Sequence, residues 1–194
     1  GRPRTVTIAP NGSAIAAAGE DGLIRIWTLA KEADQNAEPV TLKGHDKSVN
    51  TLKFSEDGQH IASGGDDRTV RLWSLAGGRE LAQQKTLYPV QAVDWSRDET
   101  VLVAGTSNAD EAAGVAYSWE VVKADSGVEI KGVEIKPLRT FQVPPEGKVK
   151  QGRGMVAIAL THDGQYAVVN GAAAEIHLFR TDLRKAGLAK KSLT

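Results

Sequence analysis

The sequence predicts an all-β chain built from one small antiparallel sheet repeated four times. Three observations predict it: a gapless internal repeat, turn sequences between short apolar stretches, and large apolar side chains on both faces of one strand. "FSEDGQHIASGGDDRTVRLWS" (Phe54 to Ser74) aligns with "IAPNGSAIAAAGEDGLIRIWT" (Ile8 to Thr28) over 21 positions, and Gly12, Ile15, Ala16, Gly19, Asp21, Arg25 and Trp27 recur identically. A third copy runs from Trp95 to Glu120 with about five residues inserted before its last strand, and a fourth runs without a gap from Leu160 to Arg180. Trp27, Trp73 and Trp119 are spaced by 46 and 46 residues, and Phe179 follows 60 later. Self-similarity at this period marks a repeat architecture.

Within the second unit the elements follow in order. "NTLKFS" reads as a strand and Glu56-Asp57-Gly58 as a turn; "HIASGG" is the next strand, Asp66-Asp67-Arg68 the next turn, and "TVRLWSL" the third strand. "AEPVTLKG", "ELAQQKTLY" and "KPLRTFQV" after the first three units supply a fourth, outer strand each, and "LAKKSLT" resembles the outer strand of the last. In the third strand Val70 and Leu72 point to one side, and Thr69, Arg71 and Trp73 to the other. Such a sheet must be covered twice. Sheets stacked side by side around an axis cover both faces, which makes the predicted fold a β-propeller of four-stranded antiparallel blades.

The second unit, "GHDKSVNTLKFSEDGQHIASGGDDRTVRLWSL", resembles a WD repeat over its full length, with Gly44-His45, Asp57-Gly58, Ser63, Asp67 and Trp73 where that pattern has them. The first unit is a good match; the third and fourth are degraded. The resemblance implies a hydrogen-bonded structural relay of His45, Ser63, Asp67 and Trp73, with Asp21, Trp27, Trp95, Trp119 and Phe179 as blade core. The first unit has Ala17 where Ser63 stands, the fourth has Phe179 for Trp, and none of the three equivalent Trp residues is followed by Asp. The relay is therefore expected once, and the other blades are expected to depend on packing.

The expected blades are 5–43, 49–88, 90–143 with an inserted hairpin at 121–136, and 155–194. The family resemblance implies a ring of roughly seven or eight blades, so these four are expected to be part of one. The missing blades would come from a larger parent chain, a second copy or a partner.

Lys plus Arg and Asp plus Glu balance at 24 each among 194 residues, which argues against a general grip on nucleic acid or anionic membrane. No apolar run approaches the roughly 18–20 residues of a membrane span. The absence of Cys removes disulfides and thiolate metal sites. A cytoplasmic location is favoured, with the compartment left open.

Enzyme signatures are weak. Gly152-Arg153-Gly154-Met155-Val156-Ala157 fits a loose G-x-G-x-x-A but leads into a strand, so it reads as a connector. Asn11-Gly12-Ser13 fits a glycosylation sequon but reads as a tight turn. His45, His60, His162 and His177 occupy non-equivalent places, so no metal shared among them is expected. No catalytic residue, cofactor or metal is expected.

Loop faces are the better prospect. Glu20, Asp66, Asp110 and Glu111 fall at the turns between second and third strands, with Lys47 and Arg68 beside them and Lys148, Lys150 and Arg153 in the loop leading into the fourth unit. They are the candidate partner-binding face, read either as a solvated rim or as a contact for a protein or peptide. The expected function is a non-catalytic protein-interaction scaffold within a larger protein or complex. The alternative is a regulatory or substrate-positioning propeller attached to an enzyme.

Overall fold

A computed structural model describes residues 1–29, 38–107, 114–123, 133–143, 157–170, 176–181 and 191–193. Among them the chain forms strands and no helix, and the strands make four antiparallel sheets, each in plain sequence order. The first holds β1 (Pro3–Ile8), β2 (Ala14–Gly19), β3 (Ile24–Thr28) and β4 (Val40–Leu42). The second holds β5 (Val49–Phe54), β6 (His60–Gly65), β7 (Thr69–Ser74) and β8 (Arg79–Lys85). The third holds β9 (Val90–Trp95), β10 (Val101–Thr106), β11 (Gly114–Lys123) and β12 (Val133–Val143). The fourth holds β13 (Ile158–Leu160), β14 (Tyr166–Asn170), β15 (Ile176–Arg180) and β16 (Lys191–Leu193).

One turn design links the first two strands of the last three sheets. Ser55 Oγ donates to Asp57 Oδ1 at 2.6 Å, and the same oxygen accepts the Gln59 N–H at 2.8 Å. Ser96 with Asp98 and Thr161 with Asp163 repeat the hydroxyl–carboxylate bond at 2.6 Å. This Asx-type bonding satisfies the turn locally and sets the chain reversal. The first sheet uses Asn11, whose Oδ1 accepts the Ser13 N–H at 3.0 Å.

The core lies between sheets. Leu52, Phe54, Ile61 and Trp73 pack against Ala16, Ile24, Ile26 and Leu42 of the first sheet. Val70 and Leu72, on the opposite side of β7, pack with Val93, Trp95, Leu102 and Trp119 of the third. Val103 and Ala116 then meet Ile158, Ala167 and Val169 of the fourth. Each fully buried large side chain contributes roughly 1.5–3 kcal/mol, so the seams hold the array together.

In the outer part of the third sheet the last two strands run on into the segment where a hairpin is expected at 121–136. β11 and β12 pair without a break in the ladder's course from Gly114↔Val143 down to Lys123↔Val133, with one register shift between Ser118 and Trp119. The outer strand thus starts at Val133 rather than at Lys136, because "VEIKP" continues the alternation of the strand it precedes. Residues 124–132, between them, lie outside the described residues, as do 108–113 of the other insertion.

Candidate functional site

The second sheet gathers a polar cluster beneath its β6–β7 turn. His45 Nδ1 lies 2.8 Å from Asp67 Oδ2, and His45 Nε2 lies 2.7 Å from Ser63 Oγ, which also accepts the Trp73 indole N–H at 2.8 Å. One arrangement satisfies every donor: Nδ1–H donates to Asp67, and Nε2 accepts from the Ser63 hydroxyl. Thr69 Oγ1 donates to Asp67 Oδ1 at 2.9 Å, and Arg71 joins through Thr69 at 3.1 Å and Glu80 at 2.6 Å. Burial works against the Asp67 carboxylate, but the hydrogen bonds it accepts from His45, the Thr69 hydroxyl and the Asp46 N–H outweigh that and bring its pKa down to about 2. Gly44 precedes His45 because a Cβ there would come within 2.8 Å of the Arg71 guanidinium and the Trp73 ring.

The other sheets lack this cluster for a readable reason. In register, Ala17, Ala104 and Val169 stand where Ser63 stands, so the shared hydroxyl is missing. Asp21 bonds instead to Arg25 at 2.8 Å, and that bond lowers its pKa.

Two residues read as blade core are not in it. Asp21 is at the surface, and Trp27 is 37% exposed, whereas its equivalent Trp73 is 1% exposed. Trp73 is covered by the first sheet; among the described residues no sheet covers the corresponding side of the first. Val6 and Ile8 share that side at 69% and 61% exposure, while their register equivalents Leu52 and Phe54 are buried. Trp95 and Trp119 are buried, Trp119 stacked on Tyr117 at 5.4 Å, and Phe179 packs against the seam between the third and fourth sheets.

Of the candidate partner-binding residues, Glu20, Lys47 and Arg68 are exposed. Asp66 is already engaged, accepting from Arg4 at 3.1 Å and Asn50 at 2.6 Å, so it joins the first sheet to the second rather than standing open to a basic peptide. Asp110, Glu111, Lys148, Lys150 and Arg153 lie outside the described residues.

The sequence reading also missed a cavity of about 410 Å³ at the end of the inner strands, lined by Lys53, Glu56, Asp94, Trp95, Arg97 and His162 among others. Its polar groups pair across sheets: Lys53 with Asp94 at 3.0 Å, Arg97 with Glu56 at 3.3 Å, and the Arg97 guanidinium donating to His162 Nε2 at 3.0 Å. Pairs between separate repeats leave no mark in any one of them, so only the spatial arrangement reveals these.

Four-stranded antiparallel sheets stacked through their faces, one carrying a His–Ser–Asp–Trp network, define a propeller-type repeat protein. The family model described as "WD domain, G-beta repeat" matches residues 3–28 and 37–74, and these matches support assigning the chain to the WD-repeat family. Those matches take in β1 to β7, the first sheet and three strands of the second. No curated protein matches the chain. Among the described residues, no helix is long and apolar enough to cross a membrane.

Proposed function

We propose that this chain is a non-catalytic scaffold that binds a segment of another protein on the face formed by its β2–β3 and β6–β7 turns. WD repeats in general mediate protein–protein interaction. The observation that carries the finer reading is Arg68, which holds a φ of +62° at the turn position where the first sheet has Gly22 at +73°. A side chain in this left-handed region costs roughly 1–2 kcal/mol relative to glycine. Arg68 is exposed, so burial does not offset that cost. An exposed charge kept in a strained turn, above a rigid buried network, fits a contact role better than a folding role. Glu20 in the β2–β3 turn, and Lys47, whose backbone lies against Gly22 of that turn, add exposed charges of both signs to the proposed face, an arrangement that favours specificity and steering.

The exposed side of the first sheet, carrying Val6, Ile8 and Trp27, fits a further blade in the same reading, since the equivalent side of the second sheet is buried against a blade. That blade would belong to a longer chain, a second copy or a partner, and the intact mass and sedimentation of the source protein separate the three.

The test is affinity capture from an extract of the source cells, using the wild type and an Arg68→Gly/Glu20→Lys variant of matched melting temperature. The reading expects a stoichiometric protein on the wild type that is lost on the variant. The same proteins in the same amounts on both would overturn it.

A further inference from the structure

At the seam between the second and third sheets, the β5–β6 and β9–β10 turns bring together Asp57, His60 and Glu99. One imidazole nitrogen and two carboxylate oxygens lie within 4.8 Å of one another. His60 Nδ1 is 3.6 Å from Asp57 Oδ1 and 4.0 Å from Glu99 Oε2. His60 is 5% exposed, and its Nδ1 is buried without a hydrogen bond. A buried polar atom left so costs about 1–3 kcal/mol, yet this one faces two carboxylates.

Glu99 occupies an unusual place. The equivalent turn positions are Gly12, Gly58 and Gly164, with φ of +70°, +69° and +66°; Glu99 has +58°. From there its Oε1 accepts the Asp57 N–H across the seam at 3.0 Å, which fixes the carboxylate beside His60. The Asp57 side chain is 37% exposed, so the cluster has a route to solvent.

We propose that Asp57, His60 and Glu99 bind a divalent cation of the zinc class, clasping the second sheet to the third. An imidazole with two carboxylates suits zinc, cobalt or nickel, whereas calcium and magnesium take all-oxygen sets. Tetrahedral zinc with ligands at about 2.0–2.2 Å spaces them roughly 3.3–3.5 Å apart, so the His60–Asp57 separation of 3.6 Å is already close to that spacing and the remaining atoms, within 4.8 Å of one another, draw in on binding. Water through the Asp57 side completes the coordination.

The experiment titrates chelator-treated protein with Zn²⁺ and Co²⁺ at neutral pH, reading calorimetry, the Co²⁺ visible spectrum and the melting temperature. The wild type should bind one equivalent, develop a Co²⁺ band that Zn²⁺ displaces, and melt higher with metal. Glu99→Gly restores the residue that the other three turns use, so its turn can form and the variant should fold without metal. It should bind at least about tenfold more weakly. Absence of saturable binding would overturn the proposal. An equal metal response in the wild type and Glu99→Gly would overturn it too, placing the metal elsewhere.

Discussion

Ser63 Oγ accepts the indole N–H of Trp73 at 2.8 Å, and through this bond the middle strand of the second sheet holds its neighbour's largest side chain. The same hydroxyl meets His45 at 2.7 Å, so one oxygen serves two buried groups. Ser63→Ala reproduces the residue of the first sheet, Ala17, but leaves both groups without that partner. Denaturant unfolding should show a loss of about 1–3 kcal/mol. An unchanged midpoint would mean that the network adds no stability.

Asp67 gives the fold a pH signature. Its folded pKa of about 2 lies below the ordinary 3.8, so the folded state binds this proton less readily than the unfolded one. The stabilisation is present above the ordinary carboxylate range and is lost as pH falls from about 4 toward 2. Asp67→Asn should be less stable than the wild type at neutral pH, with the gap narrowing across that acid window. Melting curves at stepped pH check this, and parallel wild-type and variant profiles would contradict it.

Trp73 and Trp27 are equivalent in the repeat but not in burial, at 1% and 37% exposure. Trp73→Ala should cost roughly 3–5 kcal/mol. Trp27→Ala should cost at most about 1 kcal/mol in the chain alone. Similar losses at the two positions would contradict the assignment of the seams.

Asp94 ties three sheets together, taking Lys53 of the second at 3.0 Å and the Leu160 N–H of the fourth at 2.9 Å. Asp94→Ala should lower stability by about 1–2 kcal/mol, chiefly by leaving a backbone donor without its acceptor. Lys53→Met should cost less than about 1 kcal/mol, since that amine is half exposed. Urea midpoints in the opposite order would argue that the ion pair, not the backbone bond, holds the tie.

Much of the fold was legible because local chemistry repeats with it. The Asp-Gly turns, the two-sided strands and the residues of the His45 network each leave a trace within one repeat. Burial of Trp27 was misjudged because it depends on what stands across a seam, which the repeat itself does not record. Asp66 was read as open because its partner Arg4 is 62 residues away. Glu99 was detectable: the gapless alignment of the turns sets it against three glycines, and a charged residue at a left-handed position is a local signal that packing does not explain. The start of β12 was masked by its own pattern, since "GVEIKGVEIK" offers two equivalent strand beginnings.

The buried network of His45, Ser63, Asp67 and Trp73 should make the second sheet the slowest part of the chain to open and hold the Asp66–Arg68 turn in one conformation. Native-state hydrogen exchange tests it most directly. The slowest exchange is expected in β6, β7 and the turn between them, with a joint loss of that protection in Ser63→Ala. Protection no greater than in the first sheet, or unaltered by Ser63→Ala, would contradict it.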